Sequence, residues 1–265
     1  MPRLLVTLAV SAFALSACAT TSSTSDEAAF AADMQNSGDI LPASRAERDA
    51  IRSQDLLTQA TFWAEAYELN PSDKEAATEL SDTLRQLGNT QRAAEVAQQA
   101  LALYPDDVEL LFAFGSAAAA SGRGAMALES LQRAAVAAPA DWRIHNALGV
   151  AYEQSSQSER ALASFQAALE RAPGEPAVMS NLALSYALAG DPASAERLLR
   201  EAMIRPGADG TVRQNLALVI ALQGRFTEAE EMARVDVPTE MAEANIAFVR
   251  SMLTSRRRYD ALADN

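Results

Sequence analysis

The 265 residues carry 22 basic against 35 acidic side chains, a formal charge of -13, which repels phosphate backbones and argues against nucleic acid as a ligand. Hydrophobic residues make up 49% of the chain but aromatics only 6%, so alanine-rich helical packing is expected rather than a sheet filled with large side chains. One cysteine forbids an intramolecular disulfide, and one histidine forbids a multi-histidine metal site.

The chain opens on Met1, Pro2 and Arg3, followed by an apolar run from Leu4 to Leu15 and then Leu15-Ser16-Ala17-Cys18. The run is shorter than the about 20 residues a spanning helix needs, and reads as a secretory leader over 1–17. The tetrad ending in Cys18 resembles the lipobox of bacterial lipoproteins. That resemblance implies cleavage before Cys18 and acylation of its thiol and new amino group, and Ala19, not being Asp, implies sorting to the outer membrane, periplasmic side. Residues 18–45 are then the lipidated cysteine and a flexible polar tether, with Gly38, Pro42 and Ser44 as breakers.

From Asp55 a leading helix is expected, with Leu56, Ala60, Trp63 and Tyr67 on one face. Beyond it the sequence repeats every 34 residues. Pro71, Pro105, Pro139 and Pro173 share one register, and Ala93, Ala127, Ala161, Ala195 and Ala229 share a second. Gly88, Gly122, Gly190 and Gly224 hold a third, with Ser156 in the missing place. Ala100, Ala134, Ala168 and Ala202 form a fourth, and Leu80, Phe114, Leu148, Leu182 and Leu216 a fifth.

Each series has a physical reading. Glycine stops a first helix where positive φ is needed, proline prevents continuation of the second, and alanine lets two helices approach closely beside a large apolar residue. Asp191-Pro192 marks a helix start by cap and first-turn proline. Hairpins are expected to begin near Lys74, Val108, Trp142, Pro176 and Gly210.

The unit from Trp142 to Glu175 resembles the tetratricopeptide pattern through Leu148, Gly149, Tyr152, Ala161, Phe165, Ala168 and Pro173, with His145 in place of the leading tryptophan. The expected fold is all-α: a tetratricopeptide-repeat right-handed superhelical solenoid over 46–237, a C-terminal capping helix over 238–255 and a polar tail over 256–265. The capping stripe is Ala242, Ile246, Val249 and Leu253. Arg256-Arg257-Arg258 reads as a solubilising terminus or a contact for anionic lipid, and three charges are few for the latter.

No enzyme signature is present. A Ser/His/Asp triad would rest on His145, which occupies a packing register, and Gly122-Arg123-Gly124 matches no phosphate-binding fingerprint. The reading is therefore a non-enzyme without cofactor, metal or small-molecule substrate, whose partners are proteins.

The second half of the chain is similar to one lipoprotein family. Pro173-Gly174-Glu175-Pro176, the run Ser180 to Leu188, Arg213 to Val219 and Gln223-Gly224-Arg225-Phe226 resemble the TadD lipoproteins of tight-adherence (Flp) pilus systems. Asp55 to Ala60 and the turn Asn70-Pro71-Ser72-Asp73 are similar too, so the resemblance spans roughly Asp55 to Leu253. It implies an outer-membrane lipoprotein acting as a scaffold in pilus assembly, pilotin-like toward the secretin. The alternatives are an outer-membrane-protein assembly lipoprotein, or an adaptor that docks a periplasmic hydrolase or protease.

The sequence places a candidate groove on the last two hairpins, where first helices carry Asn181, Leu184 and Leu188, then Asn215, Leu218 and Leu222, at equivalent positions. Four leucines at i, i+4 spacing suit an apolar peptide or amphipathic helix, and the asparagines suit its backbone. The same leucines suit packing under the helix after Pro238, and both readings stay open.

Overall fold

The computed structural model describes residues 44–263, and side chains as far as Thr254. The leader, Cys18 and most of the tether lie outside the described residues, as do the side chains of Arg256 to Arg258. The chain divides into two units at Asp49. The first contributes only Ser44 and the start of helix α1 (Arg45–Ile51). There Ser44 and Glu47 cap reciprocally: the Ser44 amide donates to Glu47 Oε2 at 2.6 Å and the Glu47 amide to Ser44 Oγ at 3.4 Å, the arrangement that S-x-x-E sequences favour.

The second unit is helical throughout its regular structure, with no strand among the described residues. A leading helix α2 (Leu56–Leu69) starts at Asp55, whose carboxylate accepts the amides of Leu57 and Thr58 at 3.0 Å. Five hairpins follow: α3 (Lys74–Gln86) with α4 (Thr90–Leu101), α5 (Val108–Ala120) with α6 (Gly124–Ala137), α7 (Trp142–Gln154) with α8 (Ser158–Arg171), α9 (Pro176–Leu188) with α10 (Pro192–Met203), and α11 (Gly210–Leu222) with α12 (Phe226–Ala233). The last helix is α13 (Thr239–Ala263). Each first helix packs on its own second helix, on the second helix before it and on the neighbouring first helices, whereas second helices do not meet one another. The result is a solenoid with first helices lining its inner face.

The registers explain this local structure. Gly88, Gly122, Gly190 and Gly224 have φ between +77° and +89°, and Ser156, in the place without a glycine, reaches +57°. After each of them an amide reaches back five residues to the first helix: Asn89 to Leu84, Arg123 to Ala118, Gln157 to Tyr152, Asp191 to Tyr186 and Arg225 to Ile220, at 2.8 to 3.2 Å. This closure satisfies carbonyls that the ending helix leaves open. The alanines of both series are buried, as are Leu80, Phe114, Leu148, Leu182 and Leu216.

A sixth register emerges at the helix starts. Asp73, Asp107, Asp141, Glu175 and Asp209 cap α3, α5, α7, α9 and α11, each carboxylate accepting an amide of the first turn at 2.9 to 3.4 Å. Such a cap is worth about 1 kcal/mol. Asp191 caps α10 in the expected way, accepting the Ser194 amide at 3.0 Å ahead of Pro192.

The final helix α13 closes the stack by laying Ala242, Ile246 and Val249 against α11 and α12, with Leu253 partly buried at the same core. Its backbone stays helical to Ala263. No helix among the described residues is long and apolar enough to cross a membrane.

Hairpins four and five are also tied by charge. Glu196 on α10 accepts hydrogen bonds at 2.7 Å from Arg200, from Arg225 and from Gln223. Partial burial pushes its carboxyl up, but the bonds from Gln223, Arg200 and Arg225 outweigh this and bring it down to about 2. A carboxyl depressed in the folded state stabilises it above the unfolded value and loses that contribution as pH falls through the folded one. Between pH 4.5 and 2 the melting temperature of the wild-type chain therefore falls further than that of Glu196→Gln. Thermal unfolding followed by circular dichroism across that window checks this, and parallel curves would contradict it.

Candidate functional site

First helices of the first three hairpins enclose an open cleft of about 610 Å³ on the inner face, reaching Ala177 at the start of the fourth. Its floor is small, with Ala113 and Ser116 on α5 and Ala147 on α7. The walls carry Glu79, Asp82 and Arg85 from α3, Phe112 from α5, and Trp142 and Arg143 from α7. Alanine and serine at these inward positions create the space, because nothing larger fills the gap between successive first helices.

The cleft walls combine charged and aromatic side chains. Arg85 pairs with Asp82 at 2.5 Å, and Gln86 donates to the same carboxylate at 2.7 Å. Arg85 Nε is buried and lacks an acceptor. Arg143 stacks over the half-buried Phe112 ring, 5.1 Å from its centroid, a contact that stabilises by about 0.5–1 kcal/mol at an exposed site. Its guanidinium also holds the Asp141 carboxyl below the usual carboxylate range through their hydrogen bonds. These groups match an extended or helical peptide offering both polar and apolar side chains.

The residues singled out on the last two hairpins have separate fates. Asn181 donates to Asn146 at 3.0 Å and Asn215 to Ser180 at 2.8 Å, so both amides join successive first helices. Leu184 and Leu222 are partly buried and pack against the core shared by α9 to α13. Leu188 is 75% exposed on α9, and Leu218 is 37% exposed on α11 beside α13. α13 packs on α11 and α12 but not on α9. His145 is half-buried, its Nε2 lying 2.9 Å from the Pro139 carbonyl. Among the described residues no cluster of His, Cys, Asp and Glu has the makings of a metal site.

Three tetratricopeptide-repeat family models match consecutive stretches, over residues 74–117, 112–176 and 177–205. The chain carries tetratricopeptide repeats over residues 74–205, within an all-helical solenoid. Its fold is similar to that of a thermophilic TPR protein from Thermus thermophilus, with 23% identity, 66% of this chain and 97% of that one covered, and a TM-score of 0.58. MamA from Desulfovibrio magneticus RS-1, residues 41 to the end, is similar at 24% identity over 60% of this chain and 90% of its own, with a TM-score of 0.50. Comparison with curated proteins found no match. Tetratricopeptide-repeat proteins are in general non-enzymatic scaffolds with protein partners, and the inner face of such a scaffold is where the cleft lies.

Leu184 and Leu188 of α9 differ in burial, so they differ in what a charge does there. Leu188→Asp should change unfolding free energy by no more than about 0.5 kcal/mol, whereas Leu184→Asp, which places a carboxylate against the core, should cost about 2 kcal/mol or more. Urea unfolding of the two variants checks this, and equal costs would contradict the placement of Leu184.

Proposed function

We propose that this chain is a lipid-anchored scaffold of the outer membrane that holds a segment of another protein in the cleft of its first three hairpins, as part of tight-adherence pilus assembly. The observation that carries the scaffold reading is the open cleft, with the Arg85–Asp82 pair and the Arg143–Phe112 stack on its walls. Support for the anchor comes from Leu15-Ser16-Ala17-Cys18, and for the pilus system from the runs between Pro173 and Phe226 that are similar to TadD lipoproteins. A pilotin-like role fits these parts together: acyl chains on Cys18 fix the scaffold at the membrane where a secretin ring is built, and several chains make attachment effectively permanent.

Phe112→Ala with Arg85→Ala alters the cleft walls while leaving the registers that build the solenoid. In a strain lacking the wild-type gene, the unsubstituted chain should restore secretin multimers and surface pili, and the double variant should not, at equal protein level. Radiolabelled palmitate should enter the wild-type chain and not Cys18→Ser. Pili and secretin multimers persisting without the gene would overturn the pilus reading, and labelling of Cys18→Ser would overturn the anchor.

A further inference from the structure

Successive hairpins do not meet equally well. Between hairpins one and two, Ala93, Ala94 and Ala97 of α4 form a buried apolar cluster with Ala113, Phe114 and Ala117 of α5. Between two and three, Leu131 and Ala134 of α6 do so with Ile144, Leu148 and Ala151 of α7, and Leu101 packs against both clusters. Hairpins four and five and α13 share one further cluster, which runs from Met179 through Leu199 and Leu216 to Val249. Between hairpins three and four the buried cluster shrinks to Ala161 and Phe165 of α8 and Leu182 of α9, and the apolar residues around it, Tyr152, Leu169 and Tyr186 among them, are only partly buried. Beside it the first helices α7 and α9 are joined by polar bonds, Asn181 donating to Asn146 at 3.0 Å and Ser185 to Glu153. Water can replace such bonds at little net cost. The turn that links the two hairpins, Ala172 to Pro176, contains Gly174 at φ +80°, whereas the turns before α5 and α7 contain no glycine.

We infer that the joint between α8 and α9 is a hinge, about which hairpins four and five with α13 swing as one body against hairpins one to three. Regions with few buried apolar contacts open at the lowest free energy, and a glycine in the linking turn absorbs the change in backbone angles that a hinge needs. Each body keeps its own core through the motion, because the clusters on either side share no buried residue. The cleft gives the swing a consequence. Its walls belong to α3, α5 and α7, and its far edge is Ala177 at the start of α9. Rotation of α9 therefore widens or narrows the cleft, and a bound segment selects the narrower form, in which it touches both bodies. That selection rests on the scaffold reading, whereas the hinge does not.

Gln91, Ala125, Glu159 and Ala193 are exposed, share one register and stand second in α4, α6, α8 and α10. In the full-length chain with Cys18→Ser, nitroxide labels are placed on Gln91→Cys with Glu159→Cys, within the first body, and on Ala125→Cys with Ala193→Cys, also two hairpins apart but across the joint. Pulsed dipolar electron spin resonance should find the distances across the joint about twice as broadly distributed as those within the body, or two-peaked. Asn146→Leu with Asn181→Leu, which puts an apolar contact where water can enter, should narrow the distribution across the joint and leave the other as it was, with circular dichroism unchanged. Equal widths for the two labelled pairs would overturn the hinge, as would a folded Asn146→Leu, Asn181→Leu variant that alters both distributions alike.

Discussion

Within each hairpin the two helices cross where the first offers a small side chain and the second fills the space above it. A Cβ added to Gly115 would lie 2.4 Å from Leu131, and one added to Gly149 would lie 2.4 Å from the Phe165 ring. The corresponding pairs in the other three repeats are Ser81 with Ala97, Ala183 with Leu199 and Ala217 with Ala233, all buried. Where the first helix gives up its Cβ, the second helix carries leucine or phenylalanine, and where it keeps a side chain the partner is no larger than leucine. Combined volume at the crossing is the quantity held in check, as close packing demands.

That crossing sets the distance between helices, and the rest follows from it. First helices held close to their partners also meet one another, so their inward residues form one continuous surface along the stack. The bonds between repeats are polar and local: Lys74 donates to Asp107 at 2.6 Å, Gln154 to the Ala119 carbonyl at 2.8 Å, and Asn181 to Asn146. Where small residues at Ala113, Ser116 and Ala147 replace larger ones, the surface opens into the cleft. Where α13 packs on the last hairpin, the solenoid is closed by its own chain.

Most of the fold was legible because its determinants are periodic. Alanine and glycine at fixed spacing report helix crossings and stops, and first helices begin at Lys74, Val108, Trp142, Pro176 and Gly210, where those registers place them. The acidic caps from Asp73 to Asp209 obey the same period but mix Asp with Glu, and so stood out less. α1 was hidden because Ser44 reads equally as a breaker and as the cap of Ser44-Arg45-Ala46-Glu47. The groove was harder to locate for a physical reason. Leucine at an inward position signals apolar surface, but whether that surface is open depends on neighbouring side chains. Leu184 and Leu222 turned into the core and the asparagines bonded their own neighbours, while Asn215 and Leu218 line a depression of about 310 Å³ beside α13 and the cleft of about 610 Å³ lies among the small residues of earlier repeats. Emptiness there was the signal, since Ser116, Ala119 and Ala120 leave the space that the leucines fill.

The central claim, that matched volumes at the hairpin crossing hold the solenoid together, is tested most directly by a double-mutant cycle at Gly149 and Phe165. Alanine in place of a mid-helix glycine ordinarily stabilises by about 1 kcal/mol. Here Gly149→Ala should instead destabilise by about 1–3 kcal/mol through overpacking against the buried ring. Adding Phe165→Leu recreates the pair found at Ala183 and Leu199, and should recover most of the loss, with a favourable coupling of about 1 kcal/mol or more in the cycle. Gly149→Ala that stabilises the chain, or costs that simply add in the double variant, would contradict the account.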